Sequence, residues 1–139
     1  MDKTILAVGA TSAIIQALLR LYAENGARFV LLGRNAERLD VVKNDLTARG
    51  GKVLESQVLD FEQLHAHEKI IREIFSRHAG INVAIIGHGM LGDQRAEQNS
   101  FPAAEKSLVA NFLSYVSILT PVAEIFESRQ SGSLVVISS

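Results

Sequence analysis

The chain has 139 residues, of which 47% are hydrophobic and 21% charged, and its formal net charge is −1. This length and composition suit one globular domain, residues 1–139, with a single core. A net charge so close to zero provides no long-range field that would attract nucleic acid, so no nucleic-acid partner is expected. The absence of cysteine excludes disulfides, thiolate metal sites and thiol nucleophiles, and it agrees with a cytoplasmic location.

The first two dozen residues superficially resemble a secretory signal, because an apolar run follows Lys3. Asp2 interrupts the basic start, and Gln16 and Arg20 fall at helical intervals, so a strand followed by an amphipathic helix is favoured instead. No segment approaches the roughly 20 consecutive apolar residues that a membrane span needs, and no integral membrane segment is expected.

Short apolar runs alternate with helical patterns along the chain. The runs predict five strands, at 4–8, 28–32, 52–59, 82–86 and 134–138. The third is more mixed and suits a sheet edge. Helices are predicted from apolar residues three or four positions apart: Ile14, Leu18 and Leu21, with Ile15, Leu19 and Tyr22 widening the face; Leu39, Val42 and Leu46 after an Asn35 cap; Leu64, Ile71, Ile74 and Phe75; and a long helix over about 101–128. Pro121 predicts a kink in that last helix.

Strands that are apolar throughout, each followed by a helix, are typical of a parallel sheet covered on both faces. The chain is therefore predicted to be a doubly wound α/β domain with five strands and helices on both faces. In such sheets ligands bind at the carboxyl ends of the strands, where the strand order reverses. The loops that follow the strands are consequently where functional residues are expected.

The loop after the first strand, GATSAII (9–15), has features of a phosphate-binding turn. Gly9 and Ser12 are small enough to let backbone N–H groups and a helix N-terminus approach an anion, and Thr11 and Ser12 add hydroxyl donors. An ordinary strand-to-helix turn is the alternative interpretation of this loop.

The same loop resembles the T-G-x-x-x-G-x-G turn of the short-chain dehydrogenase/reductase family. Val8 replaces the threonine, Gly9 is kept, and Ala13 and Ile15 replace the other two glycines. The resemblance implies a Rossmann-like fold and a nicotinamide dinucleotide cofactor. It also implies cofactor contacts from four residues, Gly9, Thr11, Ser12 and Ile14. Ile15 places a branched side chain where helix and strand normally pack closely.

The end of the second strand distinguishes NAD from NADP. A carboxylate at that position accepts the ribose hydroxyls of NAD, but here Gly33 occupies the place and Arg34 follows. A guanidinium can pair in bidentate fashion with a ribose 2′-phosphate, which a carboxylate would repel. Arg34 therefore favours NADP over NAD, the alternative being an arginine in a solvated loop.

Two further loops extend the resemblance. Asp60 looks like the family aspartate beside the adenine, and it can also serve as a helix cap. The sequence IGHG (86–89) stands where the family has N-N-A-G, so that Gly89 matches and His88 does not; both are expected near the cofactor. The stretch GHGMLGDQ (87–94) is also similar to a subgroup that reduces a lipid-linked keto-pentose.

The histidines suggest two kinds of chemistry. His88 is a candidate acid/base group at the mouth of the site, since the pKa of histidine lies near neutrality, and a loop histidine without a chemical role is the alternative. His65, His67 and His78 lack a convergent carboxylate or cysteine, and residues two apart on a helix point to different faces. No metal site is predicted from them.

The resemblance assigns two catalytic residues. Asn111, in VANFLSYV, aligns with the family asparagine implied to organise a proton-relay water, and Ser139 aligns with the serine that hydrogen-bonds the substrate carbonyl. The family also needs a Tyr-x-x-x-Lys segment, but neither Tyr22 nor Tyr115 has a lysine four residues later. The chain is thus expected to be an amino-terminal part of such an enzyme, inactive by itself and either weakly stable or self-associating.

The function implied by the resemblance is NADP-dependent hydride transfer between nicotinamide and a small-molecule carbonyl or alcohol. The resemblance also implies a homo-oligomer formed through the 101–128 helix. Two alternatives stay open: a non-catalytic nucleotide-binding or regulatory protein, and a scaffold module that binds no nucleotide.

Overall fold

The computed structural model of the chain describes residues 2–89 and 92–138. Five strands form one sheet in the order β3-β2-β1-β4-β5, and every pairing is parallel. The strands are β1 (Thr4–Val8), β2 (Arg28–Gly33), β3 (Lys52–Val58), β4 (Val83–Ile86) and β5 (Ser133–Val136). The predicted α/β fold is confirmed, with the mixed strand β3 at an edge and β5 ending two residues earlier than expected.

The strand order reverses at β1, which lies in the middle of the sheet. In register, Leu6 lies between Val30 of β2 and Ala84 of β4. The chain builds β2 and β3 on one side of β1 and then crosses over to build β4 and β5 on the other. This crossing opens a crevice beyond the carboxyl ends of β1 and β4, where Val8 pairs with Ile86.

Six α-helices and one π-helical turn connect and cover the strands in the described part of the chain. They are α1 (Ala13–Ala23), α2 (Ala36–Ala48), α3 (Leu64–Arg77), α4 (Gln94–Asn99), α5 (Phe101–Leu108), the π-turn (Val109–Leu113) and α6 (Ser114–Arg129). Helix α4 was not predicted, since it has no buried residue and so no apolar period. Asp93 starts it by accepting hydrogen bonds from the backbone N–H groups of Arg95 and Ala96.

The core consists of two apolar layers on the two faces of the sheet. Alternate strand residues point to opposite faces, as the pleat requires. One layer joins Ile5, Ala7 and Phe29 to α1 and α2. The other joins Leu6, Val8 and Val30 to α3 and α6.

The buried face of α1 differs from the predicted one. Ile15, Leu19 and Ala23 are buried, whereas Ile14 is 63% exposed and Leu21 is 61% exposed. Apolar residues occupy adjacent positions on most of this helix, so periodicity alone could not select the inward stripe. The buried stripe begins one residue later than predicted.

The helical run Phe101–Arg129 is continuous through Pro121, a buried residue of α6. The departure from α-helical hydrogen bonding lies upstream of this proline, in the π-turn. By length and composition the run could cross a membrane, with a mean hydropathy of 1.5 over an 18-residue window of which 28% is buried. One such helix is weak evidence for a span, and its inward residues Ile118, Val122 and Phe126 pack on the sheet. The expectation of no membrane segment stays a prediction.

Candidate functional site

A cavity of about 1090 Å³ lies at the carboxyl ends of the strands, and most of the predicted site residues line it. It is lined by loops that follow β1, β2, β4 and β5 and by the π-turn. An adjoining cavity of about 170 Å³ lies between Asp60, Arg34 and His88. Ser139 lies outside the described residues, as do Met90 and Leu91 of the GHGMLGDQ stretch. The predicted residues that line the larger cavity are Gly9, Thr11, Ser12, Ile14, Arg34, His88, Gly89 and Asn111.

The turn after β1 brings the start of α1 to the cavity. Gly9 has a φ of +84°, and its N–H donates to the carbonyl oxygen of Leu32 at 2.9 Å. A Cβ at Gly9 would lie 2.6 Å from both Cα and N of His88, so glycine lets the loop after β4 pass close by. Ser12 precedes α1 without capping it through its side chain, and no acidic residue lies in the first turn. This helix start is suited to an anion.

Two arginines lie at the end of β2. The Arg34 guanidinium donates to the carbonyl oxygen of Gly89 at 3.4 Å and lines both cavities. Arg38, which sequence reasoning missed, lies one helical turn later and lines the larger cavity. Its position in the first turn of α2 is fixed by Asn35, whose Oδ1 accepts from the Arg38 N–H at 3.0 Å. The described lining of the larger cavity contains these two cations and no carboxylate.

His88 is buried, with 6% of its surface exposed. Its ring is stacked between Phe61, at 3.9 Å and an interplanar angle of 4°, and Tyr115, at 4.4 Å and 25°. Burial, the largest cause, together with electrostatic interaction with His67 and Arg34, lowers the pKa of His88 to about 4. The imidazole is therefore neutral near pH 7, and its packing is that of a positioning group rather than of a proton donor.

Asp60 does not cap α3, whose N-cap is Gln63. Its Oδ1 instead accepts from the N–H of Glu62 at 2.9 Å, which forms a local turn. The carbonyl oxygen of Asp60 accepts a hydrogen bond from Nε2 of His67 at 2.8 Å. Asp60 is thereby held beside the smaller cavity, where the resemblance places an adenine.

The other histidines have separate partners. The fully buried ring of His67 also contacts Ser117 Oγ at 2.6 Å, and His78 Nε2 contacts Glu55 at 2.6 Å. In the ranges 2–89 and 92–138 no group of three or more histidine, cysteine or acidic side chains could hold a metal ion. His67 serves to join α3 to α6.

Asn111 lies in the π-turn, a kind of irregularity that is frequent at functional sites. Its side-chain amide donates to Ser107 Oγ at 3.3 Å. Its Oδ1 would be 3.1 Å from a Cβ at Gly89, so the asparagine packs directly against the loop after β4. Asn111 and Gly89 thus meet at the cavity, although they are far apart in sequence.

Tyr115 is a second residue that sequence reasoning missed. Its hydroxyl donates to the carbonyl oxygen of His88 at 2.6 Å and is 3.3 Å from that of Ile137. Burial raises the pKa of this phenol. Its spacing of four residues from Asn111 could have indicated that it lies at the site, because this spacing puts both residues on adjacent turns of one helical run.

Comparisons with known proteins agree with this arrangement. The family model described as short chain dehydrogenase matches residues 3–139. An uncharacterised oxidoreductase of Mycobacterium tuberculosis is 32% identical over 143 residues, which cover 100% of this chain and 57% of the relative. A hydroxysteroid 11-beta-dehydrogenase 1-like protein of Xenopus tropicalis is 27% identical over 138 residues, which cover 99% of this chain and 48% of the relative.

Solved structures show the same fold. Levodione reductase aligns with a TM-score of 0.89 at 22% identity, over 99% of this chain and 54% of the other. An actinorhodin polyketide ketoreductase with NADPH aligns with a TM-score of 0.86 at 19% identity, over 99% and 53%. The chain thus spans about half the length of the proteins that it matches. From the family match over residues 3–139 and the crevice at the strand ends, we conclude that the chain belongs to the short-chain dehydrogenase/reductase family.

Proposed function

We propose that this chain is the nucleotide-binding part of an NADP-dependent oxidoreductase acting on a small-molecule carbonyl or alcohol. The described donors fit the cofactor. The turn at Gly9 and the start of α1 suit its pyrophosphate. Gly89 gives the backbone room at the centre of the site. Asp60 lies beside the smaller cavity, which suits the adenine.

One observation carries the preference for NADP. Arg34 and Arg38 line the larger cavity beside Ser12, and no carboxylate does so in the described lining. Guanidinium groups bind phosphate with charge-assisted, often bidentate hydrogen bonds. The solved relatives do not decide between the two cofactors, since one is a xylitol dehydrogenase with NAD⁺ and another is the ketoreductase with NADPH.

Titration of the chain with NADP⁺ and NAD⁺ tests the preference. We expect tighter binding of NADP⁺, and Arg34→Ala should weaken it by about tenfold or more, because a hydrogen bond between charged groups is lost. The same change should leave NAD⁺ affinity nearly unchanged. Arg28→Ala is the matched control, since Arg28 is exposed at the opposite end of β2. Equal affinity for both cofactors, or tighter NAD⁺ binding, would contradict the proposal.

The catalytic part of the proposal concerns Asn111 and Ser139. The bound nicotinamide would supply or accept the hydride, with the Ser139 hydroxyl on the substrate oxygen and Asn111 organising the proton relay. Because the 139 residues contain no Tyr-x-x-x-Lys, we expect the isolated chain to bind NADPH without oxidising it in the presence of aldehydes or ketones. Turnover by the isolated chain would contradict this.

A non-catalytic nucleotide-binding or regulatory role is the second candidate. It is favoured by His88, which is packed as a neutral stacking partner where an acid/base group had been considered. NADPH binding by a longer protein that contains this chain, without turnover of any carbonyl, would support this role. Failure of that protein to bind either cofactor would support a scaffold.

Self-association through the 101–128 helix and a cytoplasmic location complete the proposal. Exposed apolar side chains on this run support the association. They are Phe101, Leu108 and Leu113, none of which lines the cavity.

A further inference from the structure

Two consecutive residues at the start of α6 form hydrogen bonds with the same residue of the loop after β4. Ser114 Oγ is 2.6 Å from Nε2 of His88. The Tyr115 hydroxyl donates to the His88 carbonyl oxygen at 2.6 Å, and the two rings stack at 4.4 Å. The side chain and the main chain of His88 are therefore both fixed by one helical turn.

The hydrogens in this cluster can be assigned. The Ser114 hydroxyl donates its single hydrogen to the carbonyl oxygen of Ala110, also at 2.6 Å. It can therefore only accept from His88, so the imidazole carries its hydrogen on Nε2. Ser114 is fully buried, and the contact is a directed hydrogen bond inside the protein.

The Tyr115 hydroxyl reaches a second loop. Its oxygen is 3.3 Å from the Ile137 carbonyl oxygen, just after β5. The single phenol hydrogen is shared unequally: the short bond to His88 is the main one, and the longer contact with Ile137 is secondary. The next residue after His88 is Gly89, which packs against Asn111 and accepts from Arg34.

Other contacts hold the loop on either side of this pair: the Gly87 N–H donates to the Val8 carbonyl oxygen at 3.0 Å, and the Phe61 ring stacks on His88. We infer that Ser114 and Tyr115 are positioning residues, which hold the loop at His88 and Gly89 in the shape that a bound dinucleotide requires. This inference rests on the proposed function, because it takes the cavity at Gly89 to be the cofactor site.

Tyr115→Phe removes only the hydroxyl and keeps the ring. We expect NADP⁺ to bind about fivefold more weakly, which is the typical effect of one lost neutral hydrogen bond. The backbone amide signals of Gly89 and Ser138 in an NMR spectrum should shift as the two loops are released. Tyr22→Phe is the matched control, since Tyr22 lies near the end of α1 and does not line the cavity; its affinity for NADP⁺ should equal that of the unmodified chain.

Ser114→Ala tests the other contact. A long-range ¹H–¹⁵N spectrum of the unmodified chain should show His88 with its hydrogen on Nε2, and Ser114→Ala should shift it toward the Nδ1 form or a mixture. Ser76→Ala is the control, because Ser76 lies on α3 and lines a separate surface cavity. Ser114→Thr, which keeps a hydroxyl, should restore the original His88 signals.

The outcomes separate the two proposals. If the unmodified chain binds NADP⁺ and Tyr115→Phe binds it equally well without shifting Gly89, the positioning role is wrong while the proposed function stands. If the unmodified chain binds no nucleotide, the proposed function fails, and the positioning role for a nucleotide fails with it. The His88 spectra then still decide whether Ser114 fixes the imidazole.

Discussion

The side chain of Ile15 occupies the space that a side chain at Gly87 would need. A Cβ built on Gly87 would lie 2.7 Å from Cδ1 of Ile15 and 2.9 Å from Cγ1 of Ile137, closer than real Cβ contacts allow. The bulky residue in α1 is accommodated because the loop after β4 has no side chain opposite it. The chain departs from the family pattern at both positions. The larger side chain at Ile15 is compensated by the missing side chain at Gly87, and we call this compensation the exchange.

The exchange predicts coupled effects on stability. Gly87→Ala should lower the free energy of unfolding by about 1 to 3 kcal/mol through overpacking. In an Ile15→Ala background, the same change should cost less, because the clash with Ile15 is then removed and only the one with Ile137 remains. Urea denaturation of the four chains of this cycle measures the coupling. Gly80→Ala is the control, since its Cβ would meet nothing closer than 3.9 Å; additive effects in the cycle would contradict the exchange.

Gly9→Ala should be strongly destabilising for two reasons. The φ of +84° disfavours any side chain, and the new Cβ would meet the backbone of His88. We expect a loss of about 2 to 4 kcal/mol in the free energy of unfolding, together with loss of NADP⁺ binding. Gly26→Ala separates the causes, because Gly26 has a φ of +75° with nothing within 4 Å. Equal losses at both positions would show that the close approach to His88 does not matter.

His88 makes stability depend on pH. The native pKa is about 4, below the ordinary value of 6.5, so between these values the unfolded chain binds a proton that the folded chain does not. The contribution of His88 is constant above pH 6.5, falls as the pH drops toward 4, and is lost below that. The full loss is about 3 kcal/mol.

Urea denaturation between pH 7.5 and pH 4.5 measures this effect. His88→Gln keeps an N–H donor toward Ser114 and does not titrate, so its stability should vary less with pH. His65→Gln, at an exposed position of α3, should follow the unmodified chain. Parallel pH profiles for the His88 variant and the unmodified chain would contradict a depressed pKa.

Self-association should depend on the exposed apolar side of the 101–128 run. Phe101 is 75% exposed and Leu108 is 57% exposed, and burying such side chains drives association. Sedimentation velocity should show a smaller species after Phe101→Lys with Leu108→Lys. Val41→Lys, on α2, is the control for added charge on an exposed apolar residue.

A similar change on the edge strand, Leu134→Lys, tests whether the protein associates instead by pairing through β5. If this change alone dissociates the protein, the helix is not the interface.

The sequence by itself determined the succession of strands and helices along the chain and the parallel sheet, and it predicted that the cavity residues lie in the loops that follow the strands. Apolar runs of five or so residues separated by helical periods leave few alternatives, because each buried strand needs cover on both faces. Gly9 and Arg34 were predicted as site residues because they follow predicted strands, and Asn111 because of the family resemblance; all three line the larger cavity. Local periodicity was less informative for α1, where apolar residues occupy most of the helix, and for α4, which has no buried residue.

Only the tertiary structure decided how the site is held together. The contacts of His88 with Ser114 and of Arg34 with Gly89 join residues 26 and 55 positions apart. The space shared by Ile15 and Gly87 likewise depends on how α1 packs over β4. Such contacts depend on distances of a few tenths of an ångström between elements, and no residue pattern along one element encodes them. Burial, and with it the neutral state of His88, follows from that packing.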